Sequence, residues 1–189
     1  LTATLCLTLA LLLGSVGVSV SEVIIEDNAI ASYRRGLTAY DEGDYATALR
    51  EWRPLAQQGD ADAQNNLGVL FLKGQGVPKH YEIAVVLFRL SAKQGNSTAQ
   101  SYLGGMYGLG QGVKKNLVTA YIWASLGAYN GNQKGAKLRD IFAKRMTPND
   151  ISTAQELARE CFWKNYRGCR FEQSLNAFDT IEKYQNPLI

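Results

Sequence analysis

His80 is the only histidine among the 189 residues, so no cluster of histidines can hold a metal, and a two-histidine zinc motif is excluded. A serine–histidine–acid relay would have to run through this one imidazole, and scattered serines are all that could serve as its nucleophile. Helix capping or plain exposure accounts for His80 with fewer assumptions. The glycines Gly104, Gly105, Gly108, Gly110 and Gly112 have the density of a phosphate cradle. They do not follow a strand and lack the Lys-Ser/Thr ending, and half of them recur elsewhere at a fixed interval, so they read as packing and loop glycines. Asn96-Ser97-Thr98 matches a glycosylation acceptor, relevant only in a eukaryotic secretory path. No catalytic, cofactor-binding or metal-ligating residue is assigned.

Sulfur chemistry is tied to the first 21 residues, which carry no charge and are almost wholly apolar from Leu5 to Leu13. Small residues follow at Gly14, Ser15, Gly17, Ser19 and Ser21, the pattern of a secretory signal; an uncharged run of this kind retained in the chain would act as a membrane anchor. Leu5 precedes Cys6, which argues against lipoprotein processing. Removal of residues 1–21 would leave Cys161 and Cys169, an even pair suited to an exported protein, periplasmic or secreted. Eight residues of continuous helix rise roughly 12 Å, beyond the reach of about 7 Å at which a disulfide closes. A bridge therefore requires a chain reversal, which Asn165 and Gly168 permit; two free thiols in a cytosolic protein are the alternative.

The elements that would position any site come from a repeat. Residues 61–96 and 97–132 match at an offset of 36, with 14 of 36 positions identical. Matching residues include Ala63/Ala99, Gln64/Gln100, Leu67/Leu103, Gly68/Gly104, Gly74-Gln75-Gly76-Val77 against Gly110-Gln111-Gly112-Val113, Ala84/Ala120, Ala92/Ala128 and Gly95/Gly131. Such a period marks stacked units that bury their apolar faces only against neighbours. Ala63, Leu67, Leu70 and Phe71 lie on one face of a first helix, and Ala84, Leu87, Phe88 and Ala92 on one face of a second. The Gly-Gln-Gly-Val run separates them and Gly95 or Gly131 ends the pair. Gly68 and Gly104 fall inside a helix, at a cost on the order of 1 kcal/mol relative to alanine, which close approach of the partner helix would explain.

The landmarks Ala-x3-Leu-Gly-x2-Phe/Tyr, Gly-x-Gly-Val and Ala-x7-Ala-x2-Gly resemble the Sel-one-like repeat family, a branch of the tetratricopeptide-like superfamily. His80 and Asn116 stand where the family usually has Asp, and Ile83 and Thr119 where it has Lys, departures confined to capping and surface positions. The resemblance implies an all-α fold, a right-handed superhelical solenoid of helix-turn-helix repeats. Residues 22–60, with Gly36, Ala48 and Gly59, read as a tetratricopeptide-like pair with a tighter turn, and residues 133–170 as a capping pair. In the latter, Thr147, Pro148 and Asp150 start a helix. Residues 171–189, with Leu175, Phe178 and Ile181, form a tail. Some cysteine-rich exported members of the family use a Cys-x7-Cys spacing within their repeats, whereas here a single such pair stands at the end.

The resemblance also implies that the first helix of each pair lines a concave surface. The residues facing outward there would be Tyr33, Leu37 and Asp41, then Asn65, Val69 and Lys73, then Ser101, Gly105 and Leu109. Their mixture of polar and apolar groups suits a protein or peptide segment better than a phosphate ligand. Net charge is only +3, and the nine Lys/Arg against four Asp/Glu between Lys134 and Arg170 lack the aromatic interleaving of a nucleic-acid interface. The sequence thus points to an exported, non-enzymatic interaction module without cofactor, touching a membrane only through an uncleaved leader. The competing reading is a cell-wall-directed protein that binds or hydrolyses peptidoglycan-like or beta-lactam compounds.

Overall fold

The computed structural model describes residues 20–169 and Phe171, with side chains from Asn28 onward. The expected leader therefore lies outside the described residues apart from Val20 and Ser21, as does the tail apart from Phe171. The described chain is an all-α repeat solenoid: α1 (Val20–Asp41), α2 (Tyr45–Gln57), α3 (Ala61–Lys73), α4 (Tyr81–Ala92), α5 (Ser97–Leu109), α6 (Leu117–Tyr129), α7 (Gln133–Ala143) and α8 (Pro148–Trp163). Among the described residues, no helix is long and apolar enough to cross a membrane.

Local chemistry fixes the helix starts. Asp60, Asn96 and Asn132 accept the backbone N–H three residues on, at 2.7, 2.9 and 3.1 Å, so the caps themselves repeat. Thr147 does the same for Asp150 at 3.2 Å, ahead of Pro148 in the first turn. At the helix ends, Gly74 and Gly110 are left-handed caps with φ of 71° and 75°. The second glycine of each Gly-Gln-Gly run has another reason. A Cβ at Gly76 would lie 3.0 Å from the Tyr45 carbonyl oxygen, and one at Gly112 would lie 2.6 Å from that of Tyr81, 36 residues later. Each loop thus presses on the start of the preceding unit's second helix.

The two intrahelical glycines admit their partners differently. At Gly68 the space of a side chain is filled by the Phe88 ring, 2.7 Å from where a Cβ would stand. At Gly104 the residue matching Phe88 is Ala124, and the α6 backbone itself approaches, with Ala124 N at 3.0 Å and Ala120 O at 3.1 Å. Close approach is therefore the reason for both glycines, through a ring in one unit and through main chain in the other. The core runs the length of the stack, from Ala48 and Trp52 through Leu67, Phe88, Leu103 and Trp123 to Ala158.

Polar bonds lock the units in register. Gln64 Nε2 donates to the Ala56 carbonyl at 3.1 Å, and Gln100 Nε2 to that of Ala92 at 3.0 Å. Gln94 Nε2 then donates to Gln64 Oε1, and Asn130 Nδ2 to Gln100 Oε1, both at 2.9 Å. Gln64 and Gln100 are buried, so their amides need these partners.

At the C-terminal end, Cys161 and Cys169 form a disulfide with Cα atoms 4.9 Å apart. The reversal uses Asn165 (φ 50°) and Gly168 (φ 60°), as the sequence allows, and also Tyr166 at φ 63°. Tyr166 is held there by its surroundings: its ring fills the space beside Gly95, and its hydroxyl accepts from Asn130 Nδ2 at 2.6 Å. Phe171 packs edge-on against Trp123, ring centroids 5.4 Å apart.

Candidate binding groove

Three first helices and one second helix enclose a groove of about 310 Å3. Its walls are Leu37, Tyr40 and Asp41 from α1, Asn65, Asn66, Val69 and Lys73 from α3, and Thr98 and Tyr102 from α5, with Trp52 of α2 between them. Spacings of three, four and one place these residues on one arc of each helix. Gly36 makes room for the Trp52 indole, whose Nε1 donates to the Tyr33 carbonyl at 3.2 Å.

Opposite charges face the groove near the ends of α1 and α3. Lys73 Nζ donates to Tyr40 Oη at 2.9 Å, and this bond holds the ammonium above its ordinary pKa, so Lys73 is charged at neutral pH. Asp41 stands exposed at the last position of α1. On the opposite wall Tyr102 is flat against Phe88, centroids 4.7 Å apart at 13°, and Lys134 Nζ lies 4.4 Å from its ring centroid. Asn65 Nδ2 donates to Asn66 Oδ1 and Asn66 Nδ2 to the Tyr33 hydroxyl, at 3.2 and 3.1 Å. Burial raises the Tyr33 pKa, an effect the bond from Asn66 partly offsets. Asn65 Oδ1 is buried with no donor among the described residues. Apolar surface, one cation, one anion and several amide and hydroxyl groups together match the alternating chemistry of a polypeptide.

Of the nine positions implied for the concave face, Leu37, Asp41, Asn65, Val69 and Lys73 come together here. The third unit differs from the expectation. Ser101 is not outward-facing: it is 2% exposed, its hydroxyl donates to the Ser97 carbonyl at 2.9 Å, and Gly127 and Gly135 close over it. Gly105 faces Leu138, because α7 packs along α5 and covers that stretch. Leu109 is 70% exposed but lies outside the groove lining. Tyr33 is half-buried and turned to Trp52 and Asn66, behind the wall. Tyr40, Trp52, Asn66, Thr98 and Tyr102 line the groove but are not among the positions the sequence assigns to the concave face. Asn66 and Tyr102 occupy equivalent repeat positions next to Asn65 and Ser101, so a wider arc would have included them.

His80 caps α4: Nδ1 lies 3.4 Å from the Ile83 N–H and 3.1 Å from Glu82 Oε2. One nitrogen cannot accept from the first and donate to the second at once. Among the described residues, no group of three His, Cys, Asp or Glu is disposed to hold a metal ion.

The Sel1 repeat model matches residues 61–96 and 97–132. No curated protein matches the chain. Among solved structures, the chain is similar to c5321, a protective antigen of uropathogenic Escherichia coli strains displaying an SLR fold, at 29% identity and a TM-score of 0.70. That match covers 83% of this chain and 35% of the antigen. It is also similar to a Sel1 repeat protein from Oxalobacter formigenes, at 35% identity and a TM-score of 0.52, over 58% of this chain and 42% of that one. The chain thus spans less than half the length of either protein. Residues 61–132 thus match two tandem Sel1 repeats at the centre of an all-α repeat solenoid, similar in fold to the SLR-fold antigen.

Proposed function

We propose that the protein is a non-catalytic interaction module that holds an extended segment of a partner protein in the groove between α1, α3 and α5. Sel1 repeats generally mediate protein–protein interactions, which supplies the class. The observation that carries the finer reading is the groove's composition: Leu37, Val69 and Tyr102 offer apolar contact, Lys73 and Asp41 opposite charges, and Asn65, Asn66 and Thr98 hydrogen-bonding groups, all on rigid helices. In this reading residues 22–60 supply one wall and residues 133–170 cap the stack. Export to an oxidising compartment, periplasmic or secreted, is part of the proposal, supported by the Cys161–Cys169 disulfide. Neither nucleic acid nor a cofactor has a role in it.

The test is photo-crosslinking. A benzophenone amino acid at Leu37 or Val69 is irradiated in the source cells and the product mapped by mass spectrometry. One polypeptide segment crosslinked from both positions, and lost on Lys73→Ala or Tyr102→Ala, supports the groove. Crosslinks with no common segment, or insensitive to both substitutions, sink it.

A further inference from the structure

A second cleft, of about 370 Å3, opens between α6, α7 and α8 and differs in character from the groove. Its lining is Tyr121, Tyr129, Arg139, Asp140, Gln155 and Arg159, with little apolar surface. A volume in the range of small-molecule sites, walled by side chains that donate hydrogen bonds, calls for a compact anionic guest. Tyr121 is 4% exposed, yet its hydroxyl reaches the cleft, where it accepts from Gln155 Nε2 at 3.2 Å. Its own proton has no acceptor among the described residues and is left to donate. Arg159 forms no ion pair with a described residue and keeps its full fork of N–H groups. Arg139 spends Nε and Nη2 on Asp140 Oδ1, at 3.0 and 2.9 Å, and retains Nη1.

The charge sum selects the guest. Two guanidinium groups and one carboxylate leave a single net positive charge in the lining, which matches one carboxylate rather than a phosphate dianion. Asp140 keeps an oxygen that Arg139 does not use, an acceptor for a donor group carried by the same guest. We propose that this cleft binds a small organic carboxylate bearing a hydroxyl or ammonium group beside the carboxylate. Arg159, Arg139 Nη1 and the Tyr121 hydroxyl hold the carboxylate, and Asp140 Oδ2 takes the neighbouring donor. The site is separate from the groove and does not depend on the function proposed there.

Lactate, acetate and inorganic phosphate, titrated separately into the isotopically labelled protein at constant pH and ionic strength, distinguish the chemistries. Saturable amide shifts around Arg139, Gln155 and Arg159 are expected with lactate, with weaker binding of acetate, which lacks the second donor. Removing a charged hydrogen-bonding partner by Arg159→Gln should weaken lactate about tenfold or more, while Asn65→Ala in the groove leaves it unchanged. Asp140→Asn should reduce the preference for lactate over acetate. Both residues are at the surface, so the variants keep the fold, which the unchanged remainder of each spectrum verifies. Linear, unsaturable shifts, equal response to phosphate, or indifference to Arg159→Gln would each overturn the assignment.

Discussion

Gly68→Ala and Gly105→Ala are the same chemical change in equivalent helices, yet the structure assigns them opposite signs. Each gains up to about 1 kcal/mol from the helix preference of alanine over glycine. At Gly105 nothing opposes the gain, since the nearest atom to the new methyl is Leu138 Cδ1 at 4.0 Å. At Gly68 the methyl would stand 2.7 and 2.8 Å from two carbons of the Phe88 ring. Phe88 is fully buried and backed by Tyr102 at 4.7 Å, so it can move only by displacing a groove residue. Overpacking of this kind costs about 1–3 kcal/mol, leaving Gly68→Ala destabilised by about 1 kcal/mol net. The two variants should differ by roughly 2 kcal/mol, or about 1 M in the urea midpoint for a domain of this size. Equilibrium urea unfolding followed by circular dichroism reads this directly. A shift of both midpoints in the same direction would refute the account of Gly68, and a Tyr102 resonance unmoved in Gly68→Ala would refute the coupling of core to groove.

Reduction of the Cys161–Cys169 bridge, which closes a loop eight residues apart, should cost about 2–3 kcal/mol by loop-closure entropy. Denaturation with and without dithiothreitol measures it, and a Cys161→Ser/Cys169→Ser variant should show no response to the reductant. Gln100→Leu removes the acceptor for Asn130 and the donor to Ala92 and should destabilise by about 1–3 kcal/mol, measured in the same assay. The hydrogen bond from Ser32, then that from Arg35, holds Glu51 below its ordinary pKa of 4.5, so its contribution is complete above that pH and is lost as pH falls through the lowered value. The stability gap between the protein and Glu51→Gln should therefore stay level from pH 7 to about 4.5 and close below it.

Much of the fold was legible because its signals are local. A cap such as Thr147 needs only its own first turn, and the landmarks Leu67/Leu103 and Gly74/Gly110 need only the 36-residue offset to announce a unit. The groove was legible in part for the same reason: Leu37, Asp41, Asn65, Val69 and Lys73 follow from helical spacing once the concave side is set. Ser101 and Gly105 lie away from the groove because α7, a helix outside the two matching units whose packing no period announces, packs along α5, with Gly127 of α6 also closing on Ser101. Tyr33 lies behind the wall, beside Trp52 and Asn66, contacts that helical spacing alone does not announce. The left-handed Tyr166 was invisible for a similar reason, since what stabilises it lies at Gly95 and Asn130, far away in sequence.

The paired amides at the joints carry a consequence for how such a chain can grow. Gln64 bonds the carbonyl of Ala56 and Gln100 that of Ala92, and the residues answering them, Gln94 and Asn130, stand at the same offset. Both faces of a unit are therefore cut to one template. A duplicated copy of residues 61–96 spliced in after Asn96 would find its acceptors and donors already waiting on either side. The gene could lengthen the protein by whole units without inventing a new joint.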